Sequence, residues 1–246
     1  MNSLRNFVQN ASDNHSAFGN PLARADLHAI TPAAFAHLPD ESTSERYSFL
    51  STERALDAFA QAGFLPVDAA QSRGAFHKQL VARHAIRLRR RYETVQLRDT
   101  IPEIVFINGH DGKTALQLRL GLFRAVCTNG LIVSTGVFSF WRLPHRGDLL
   151  GEVVSAALQQ SELFSELGRF VERMERTPLE LHQRVRFAEA ALALRFPDDH
   201  HGGMQPSQLL APRRPEDVGD DLWRTYNVIQ LWGAPHNSTY VERAFT

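Results

Sequence analysis

Cysteine and lysine are the scarce residues in this chain of 246 amino acids. A single cysteine, Cys127, excludes an internal disulfide framework and a multi-cysteine zinc site. Of the 27 basic residues only Lys78 and Lys113 are lysine, which leaves 25 arginines. Arginine suits bidentate phosphate contact and stacking, although codon bias in a GC-rich genome gives the same excess. Net charge is zero, so nucleic-acid binding would have to come from local patches rather than a global field. No apolar run reaches the roughly 18 residues that cross a bilayer. The N-terminus has no apolar signal-peptide core, and the cytoplasm is the expected location. No Gly-rich loop follows a strand as a P-loop or a dinucleotide site requires. Internal repeats and long low-complexity segments are also missing.

What is present is ordinary globular composition, 43% apolar and 22% charged, in a length that buries a core without staples. Residues 1–26 read as a flexible arm and 231–246 as a tail. Residues 27–230 read as one α+β domain, with a sheet region at 64–147 and a helical region at 148–230. Thr31-Pro32 and Thr177-Pro178 look like helix starts, with Thr as cap and Pro at the first helical position. Ser51 or Thr52 caps a helix that Gly63 stops. Strands are expected at Phe64–Ala70, Leu80–Tyr92, Ile104–Ile107, Thr114–Leu120, Leu122–Val126, Leu131–Val137 and Phe138–Leu143. Residues 103–120 form a hairpin around Asn108-Gly109-His110-Asp111-Gly112. From Asp148 the period becomes helical, as one helix or a broken pair to about Arg176. Helices then follow through Phe196, near Gln205–Leu210, and from Asp220 or Asp221. Segregated elements predict an antiparallel β meander flanked by short N-terminal helices and a helical C-terminal half.

The strand at 80–92 carries Ala82, Ile86 and Leu88 on one face and Arg83, Arg87, Arg89 and Arg91 on the other. Next-but-one residues lie about 6.6 Å apart, close to phosphate spacing in an extended single strand. The row therefore reads either as a track for a nucleic-acid backbone or as the solvated outer face of a sheet. Nearby, only Glu93 offers compensating charge. Arg98, Arg119, Arg124, Arg142 and Arg146 could extend the row, and Phe138, Phe140 and Trp141 are either stacking platforms or core.

Two further constellations are weaker. Cys127 with His110 or His145 has the residue types of a thiolate nucleophile and base, and equally those of a buried core cysteine. His110-Asp111 and Asp198-Asp199-His200-His201 have metal-ligand chemistry, but their spacing matches no metal motif and no metal or cofactor is expected.

Several segments occur in the order of a known family: SERYSFLST at 44–52, AGFLPVDAAQSR at 62–73, HAIRLRRR at 84–91, PEIVFINGHDG at 102–112, FRAVCTNGLIV at 123–133, LPHRG at 143–147, LALRFPDDH at 192–200 and LLAPRRPEDVGDDLWRTYNVIQ at 209–230. Together they span most of residues 27–230. The chain thus resembles the plasmid- and prophage-borne proteins of domain of unknown function 932, including the UPF0380 group. The resemblance implies residence on a mobile element and no established activity. It points to the turns at 108–112, 127–130 and 144–147 as a surface site or as fold-defining features. Family members continue past the last helix with a Gly- and Arg/Lys-rich loop and another helix. This chain ends instead in GAPHNSTYVERAFT, as a truncated or specialised version would.

Two functions are expected from these features. One is a phage or plasmid accessory protein binding nucleic acid, with single-stranded DNA as the first candidate, through Arg83, Arg87, Arg89, Arg91, Arg119, Arg142 and Arg146. The other is an anti-defence factor that binds a host defence or nucleic-acid-processing protein. A homo-oligomer is compatible with both, a membrane partner with neither. An enzyme using Cys127, His110 or His145 ranks behind them.

Overall fold

Alternating apolar side chains set up an antiparallel sheet, and the computed structural model describes it within residues 20–72, 76–91, 100–124, 130–133, 140–196 and 203–233. The strands are β1 (Phe64–Gln71), β2 (His84–Arg90), β3 (Thr100–Asn108), β4 (Leu116–Arg124), β5 (Gly130–Val133) and β6 (Phe140–Leu143). Their order is β1-β2-β3-β4-β5, a meander, with β6 also paired to β4. The fold is α+β, as the segregated pattern predicts.

The last edge has an unusual construction. Val133 ends β5 opposite Leu120, and Phe140 begins β6 opposite Arg119. The two short strands therefore lie in line along one side of β4, with residues 134–139 inserted between them.

The described residues divide into two compact units, one running to Phe164 and the other starting at Ser165. In the first, α1 (Arg24–Ile30) precedes α2 (Thr52–Gln61), and α3 (Leu149–Glu162) follows the sheet. Ser51 caps α2 by accepting the Arg54 N–H. Gly63 ends it at φ +88°, a left-handed conformation that glycine adopts without strain. Phe59 of α2 packs edge-on against Phe64 and Phe106. Gln160 of α3 donates to the Leu118 carbonyl. Both helices thus cover the sheet face that carries Ile86, Leu88, Ile104, Phe106 and Leu118, all buried.

Helix α4 (Phe164–Glu175) begins where the second unit does, and within that unit α5 (Leu181–Arg195), α6 (Pro206–Leu209) and α7 (Leu222–Gly233) pack around Ala188, Leu192, Leu209, Leu210 and Ile229. A bridge between Pro178 and Asp221 ties the approach to α5 to the start of α7. Asp221 accepts the Arg224 N–H as the N-cap of α7.

Several boundaries differ from the sequence expectation. The strand expected from Leu80 begins only at His84, because Phe76–Val81 forms a 3-10 turn that Ala82 N–H closes on the Gln79 carbonyl. β4 runs unbroken through the expected gap at Gly121 to Arg124. Neither Thr-Pro pair caps a following helix. Thr31 and Thr177 donate their hydroxyls back to the Leu27 and Arg173 carbonyls, finishing the helices before them. Only a single 3-10 segment, Pro32–Phe35, follows the first, and α5 is capped by a reciprocal Glu180–Gln183 pair. Helix α1 begins within the span read as an arm. The tail beyond 233 and residues 1–19 lie outside the described residues.

Candidate functional site

The arginine row lies on the sheet face opposite α2 and α3, with Ala85, Val105, Ile107 and Phe123 as its buried apolar neighbours. Cross-strand register decides what each arginine meets. Arg87 stands opposite Val105, and Glu103 lies two residues along β3 on the same face. Arg87 Nε donates to Glu103 Oε2 at 2.6 Å. Arg89 donates through Nε and Nη2 to Glu103 Oε1 at 2.9 and 2.7 Å. Glu103 is fully buried, and the Arg87 and Arg89 side chains are only 13% and 19% exposed.

A bulge in β1 skips Val67 and brings Asp68 opposite Arg87. Arg87 Nη1 reaches Asp68 Oδ2 at 3.1 Å, and the guanidinium sits 3.9 Å from the Phe123 ring centre. The compensating carboxylates are therefore Glu103 and Asp68. The local sequence neighbour Glu93 lies outside the described residues.

The other expected binding residues distribute along the sheet. Arg91 is exposed just past β2, and its backbone N–H donates to the Gly63 carbonyl. Arg83 precedes β2 at the opposite end and is partly buried. Arg119 Nε and Nη2 both donate to Gln117 Oε1, at 3.2 and 2.8 Å. Gln117 is paired in register with the exposed Arg142 of β6, so Arg119 is drawn along the face toward Arg142. Burial lowers the pKa of Arg83 from the ordinary arginine value, with Asp111 opposing and Arg142 adding to the effect. Burial lowers that of Arg119 too, with Arg83 contributing. Arg83, just before β2, is thus near enough to Arg142 of β6 and to Arg119 of β4 to be repelled by each. Arg146 is exposed in the turn after β6. Trp141 points to the other face from Arg142 and is partly exposed. Phe138, Arg98 and the side chains of Phe140 and Arg124 lie outside the described residues.

The turns at 108–112 and 144–147 gather around a buried polar chain. Asn108 Nδ2 donates to Thr52 Oγ1 at 2.8 Å. Thr52 Oγ1 lies 2.8 Å from His84 Nε2, and His84 Nδ1 lies 2.9 Å from the Ala82 carbonyl. A carbonyl only accepts, so Nδ1 of His84 carries the proton and Thr52 donates to Nε2. Burial pushes His84 down to about 4 and His110, its ring 5.4 Å away, down to about 3. Both histidines are neutral.

The second turn is clasped to residues 47 and 48. Tyr47 stacks on His145 at 4.6 Å and donates its hydroxyl to the Gly109 carbonyl. His145 Nδ1 donates to the Ser48 carbonyl, Ser48 N–H returns to the His145 carbonyl, and Gly147 N–H donates to Ser48 Oγ. His145 Nε2 is left buried without a partner, and burial lowers the pKa of this ring as well. His110 and His145 are therefore packed into turn architecture. Cys127 and Asp198–His201 lie outside the described residues. Among the described residues no group of three or more His, Cys, Asp and Glu is arranged to hold a metal ion, and no helix is long and apolar enough to cross a membrane.

Sequence reasoning missed Glu103, Asp68, Thr52 and the role of His84. Pairing β2 with β3 in register would have found Glu103, but the bulge that delivers Asp68 leaves no mark in the alternation.

The chain is 36% identical over 211 residues to the UPF0380 proteins YafZ and YfjQ of Escherichia coli (strain K12), an overlap covering 85% of this chain and 76% of each relative. No solved structure matches it. The domain of unknown function DUF932 matches residues 39–239, and the chain belongs to that family.

Proposed function

We propose that this protein is a cytoplasmic accessory factor of a mobile genetic element that binds nucleic acid, with single-stranded DNA the first candidate, where Arg83, Arg119 and Arg142 meet. The observation supporting this reading is that Arg119 and Arg142 lie on one sheet face, joined through Gln117, with Arg83 close by. Guanidinium groups give phosphate oxygens charge-assisted hydrogen bonds, and Arg142 is exposed to do so. The exposed Arg146 extends the surface. Arg87 and Arg89 lie on the same face but are engaged with Glu103.

The test is fluorescence anisotropy of a labelled single-stranded oligonucleotide with the full chain, with Arg91→Glu at the far end of β2 as the control. Arg142→Glu should weaken binding about tenfold or more, the value of one charged hydrogen bond, while Arg91→Glu changes it little. Equal affinity for wild type and Arg142→Glu would sink the proposal.

A protein partner is the second reading, an anti-defence factor occupying a host nucleic-acid-processing complex. Leu38 and Leu80 favour it, being 76% and 61% exposed. Leu80 lies in the 3-10 segment Phe76–Val81 and Leu38 three residues past Pro32–Phe35, and these two segments pack on each other. A host protein retained after nuclease treatment, and lost with Leu38→Ser and Leu80→Ser together, would favour this alternative.

A further inference from the structure

We propose that Tyr47, stacked on His145 and flanked by Arg46 and Arg146, is a platform for one unpaired nucleobase, with the two arginines taking the adjoining phosphates. This rests on the nucleic-acid reading above and names the element that selects a single strand. Charge attracts any nucleic acid, but a base offers its flat face only where it has left the duplex stack. Single strands are accordingly held by aromatic rings beside positive side chains.

The ring pair is fixed before any ligand arrives. Tyr47 and His145 lie 4.6 Å apart between ring centres, at an angle of 19°. The Tyr47 hydroxyl donates to the Gly109 carbonyl at 3.0 Å, and His145 Nδ1 donates to the Ser48 carbonyl at 3.0 Å. His145 is buried whereas Tyr47 stays partly exposed, so solvent reaches the pair through the tyrosine. Burial pushes the phenol pKa up, which keeps Tyr47 uncharged beside a phosphate. A ring already held in place loses little side-chain freedom on binding. Phe59, Phe64 and Phe106, by contrast, are fully buried in the core. Tyr47 closes a turn by donating its N–H to the Ser44 carbonyl, and that turn carries the exposed Arg46. Arg146 is exposed beside His145. Each arginine is chain neighbour to one ring, its Cα about 3.8 Å from that residue's Cα, and from there a long guanidinium side chain is able to reach a phosphate bordering the stacked base. Glu45 is exposed in the same turn, so the ring, rather than net charge, is the distinctive element of this surface.

The experiment measures anisotropy of a labelled oligothymidine and of an equally long abasic deoxyribose-phosphate strand, with the full chain and its Tyr47→Leu and Tyr47→Phe variants. The wild type should bind the strand with bases about fivefold tighter or more. Tyr47→Leu should lose most of that preference, and Tyr47→Phe, which keeps the ring, should lose less. Because Tyr47 also clasps the turns, a second measurement uses the unaltered chain. An oligonucleotide carrying 5-iodouracil, irradiated in the complex and mapped by peptide mass spectrometry, should cross-link to Tyr47. Arg142-dependent binding with no preference for bases, or a cross-link confined to other residues, overturns the platform and leaves the nucleic-acid reading standing. A base preference retained in folded Tyr47→Leu overturns it as well. A wild-type chain that binds neither strand ends both readings.

Discussion

Arg87 on β2 donates a 2.6 Å hydrogen bond from Nε to the fully buried carboxylate of Glu103 on β3. Arg89 fills the other oxygen. Removing one member of a buried ion pair leaves the rest uncompensated, at a cost of about 3–5 kcal/mol. Glu103→Gln should therefore lose roughly that much stability in urea unfolding, with circular dichroism as the probe. Arg87→Glu should be at least as damaging, so reduced nucleic-acid binding by that variant would report unfolding rather than a lost contact. A Glu103→Gln protein as stable as wild type would show that the carboxylate is not what holds the two arginines.

Acid should destabilise the first unit through its buried histidines. His84 and His110 have folded pKa values near 4 and 3, below the usual 6.5. The unfolded chain therefore binds more protons below pH 6.5, and folding loses stability as pH falls. The contribution is complete above about pH 6.5 and declines toward pH 4, by on the order of 3 kcal/mol for His84. Urea midpoints measured from pH 7 to pH 4 read this directly. A flat profile over that range would contradict the burial of these rings.

Thr52→Val tests the polar chain itself. It removes the donor to His84 Nε2 and the acceptor for Asn108 Nδ2 while keeping the side-chain shape. Leaving buried polar groups unsatisfied costs about 1–3 kcal/mol each. The variant should unfold at lower urea with an unchanged slope, whereas Ser51→Ala at the adjacent helix cap should cost only about 1 kcal/mol.

Two turn glycines should respond differently to alanine. Gly112 and Gly147 have φ of +70° and +77°, a region that costs an L-residue about 1–2 kcal/mol. At Gly147 an added Cβ meets open space, so Gly147→Ala should lose only that backbone term. At Gly112 the added atom would lie 2.9 Å from Thr43 Cγ2, and Gly112→Ala should lose more. Thermal unfolding of both variants, with Gly112→Ala/Thr43→Ser as partial rescue, separates the two contributions.

Salt dependence gives a separate count of phosphate contacts. For single strands, the logarithm of affinity falls with the logarithm of salt with a slope of about 0.7 per contacted phosphate. Arg142→Gln should shallow the slope by up to that amount, and Arg91→Gln should leave it unchanged. Identical slopes for wild type and Arg142→Gln would place the contacted phosphates elsewhere.

Most strands were legible because periodicity is local, while the start of α2 was narrowed to Ser51 or Thr52 and the stretch from Asp148 to one helix or the broken pair that is found. Thr-Pro was read correctly as a boundary but assigned to the wrong side, since the hydroxyls of Thr31 and Thr177 serve the preceding carbonyl as readily as the following N–H. The four arginines at 83–91 looked alike because a strand face shows only its own charges. What separates Arg87 and Arg89 from Arg83 lies on β3 and β1, and one of those partners depends on a bulge. The gathering of the turns at 109–112 and 144–147 around Tyr47 was foreshadowed only by family resemblance. Tyr47 and His145 are 98 positions apart, and no short-range pattern encodes their stacking.

The in-line arrangement of β5 and β6 has a consequence for engineering. Val133 and Phe140 face successive residues of β4, so both ends of the segment between them are pinned to the same strand. Lengthening that segment need not shift any described ladder by a residue, because neither β5 nor β6 takes its register from the other. A substitution that weakens the pairing of β6 should likewise leave the β5 ladder in place.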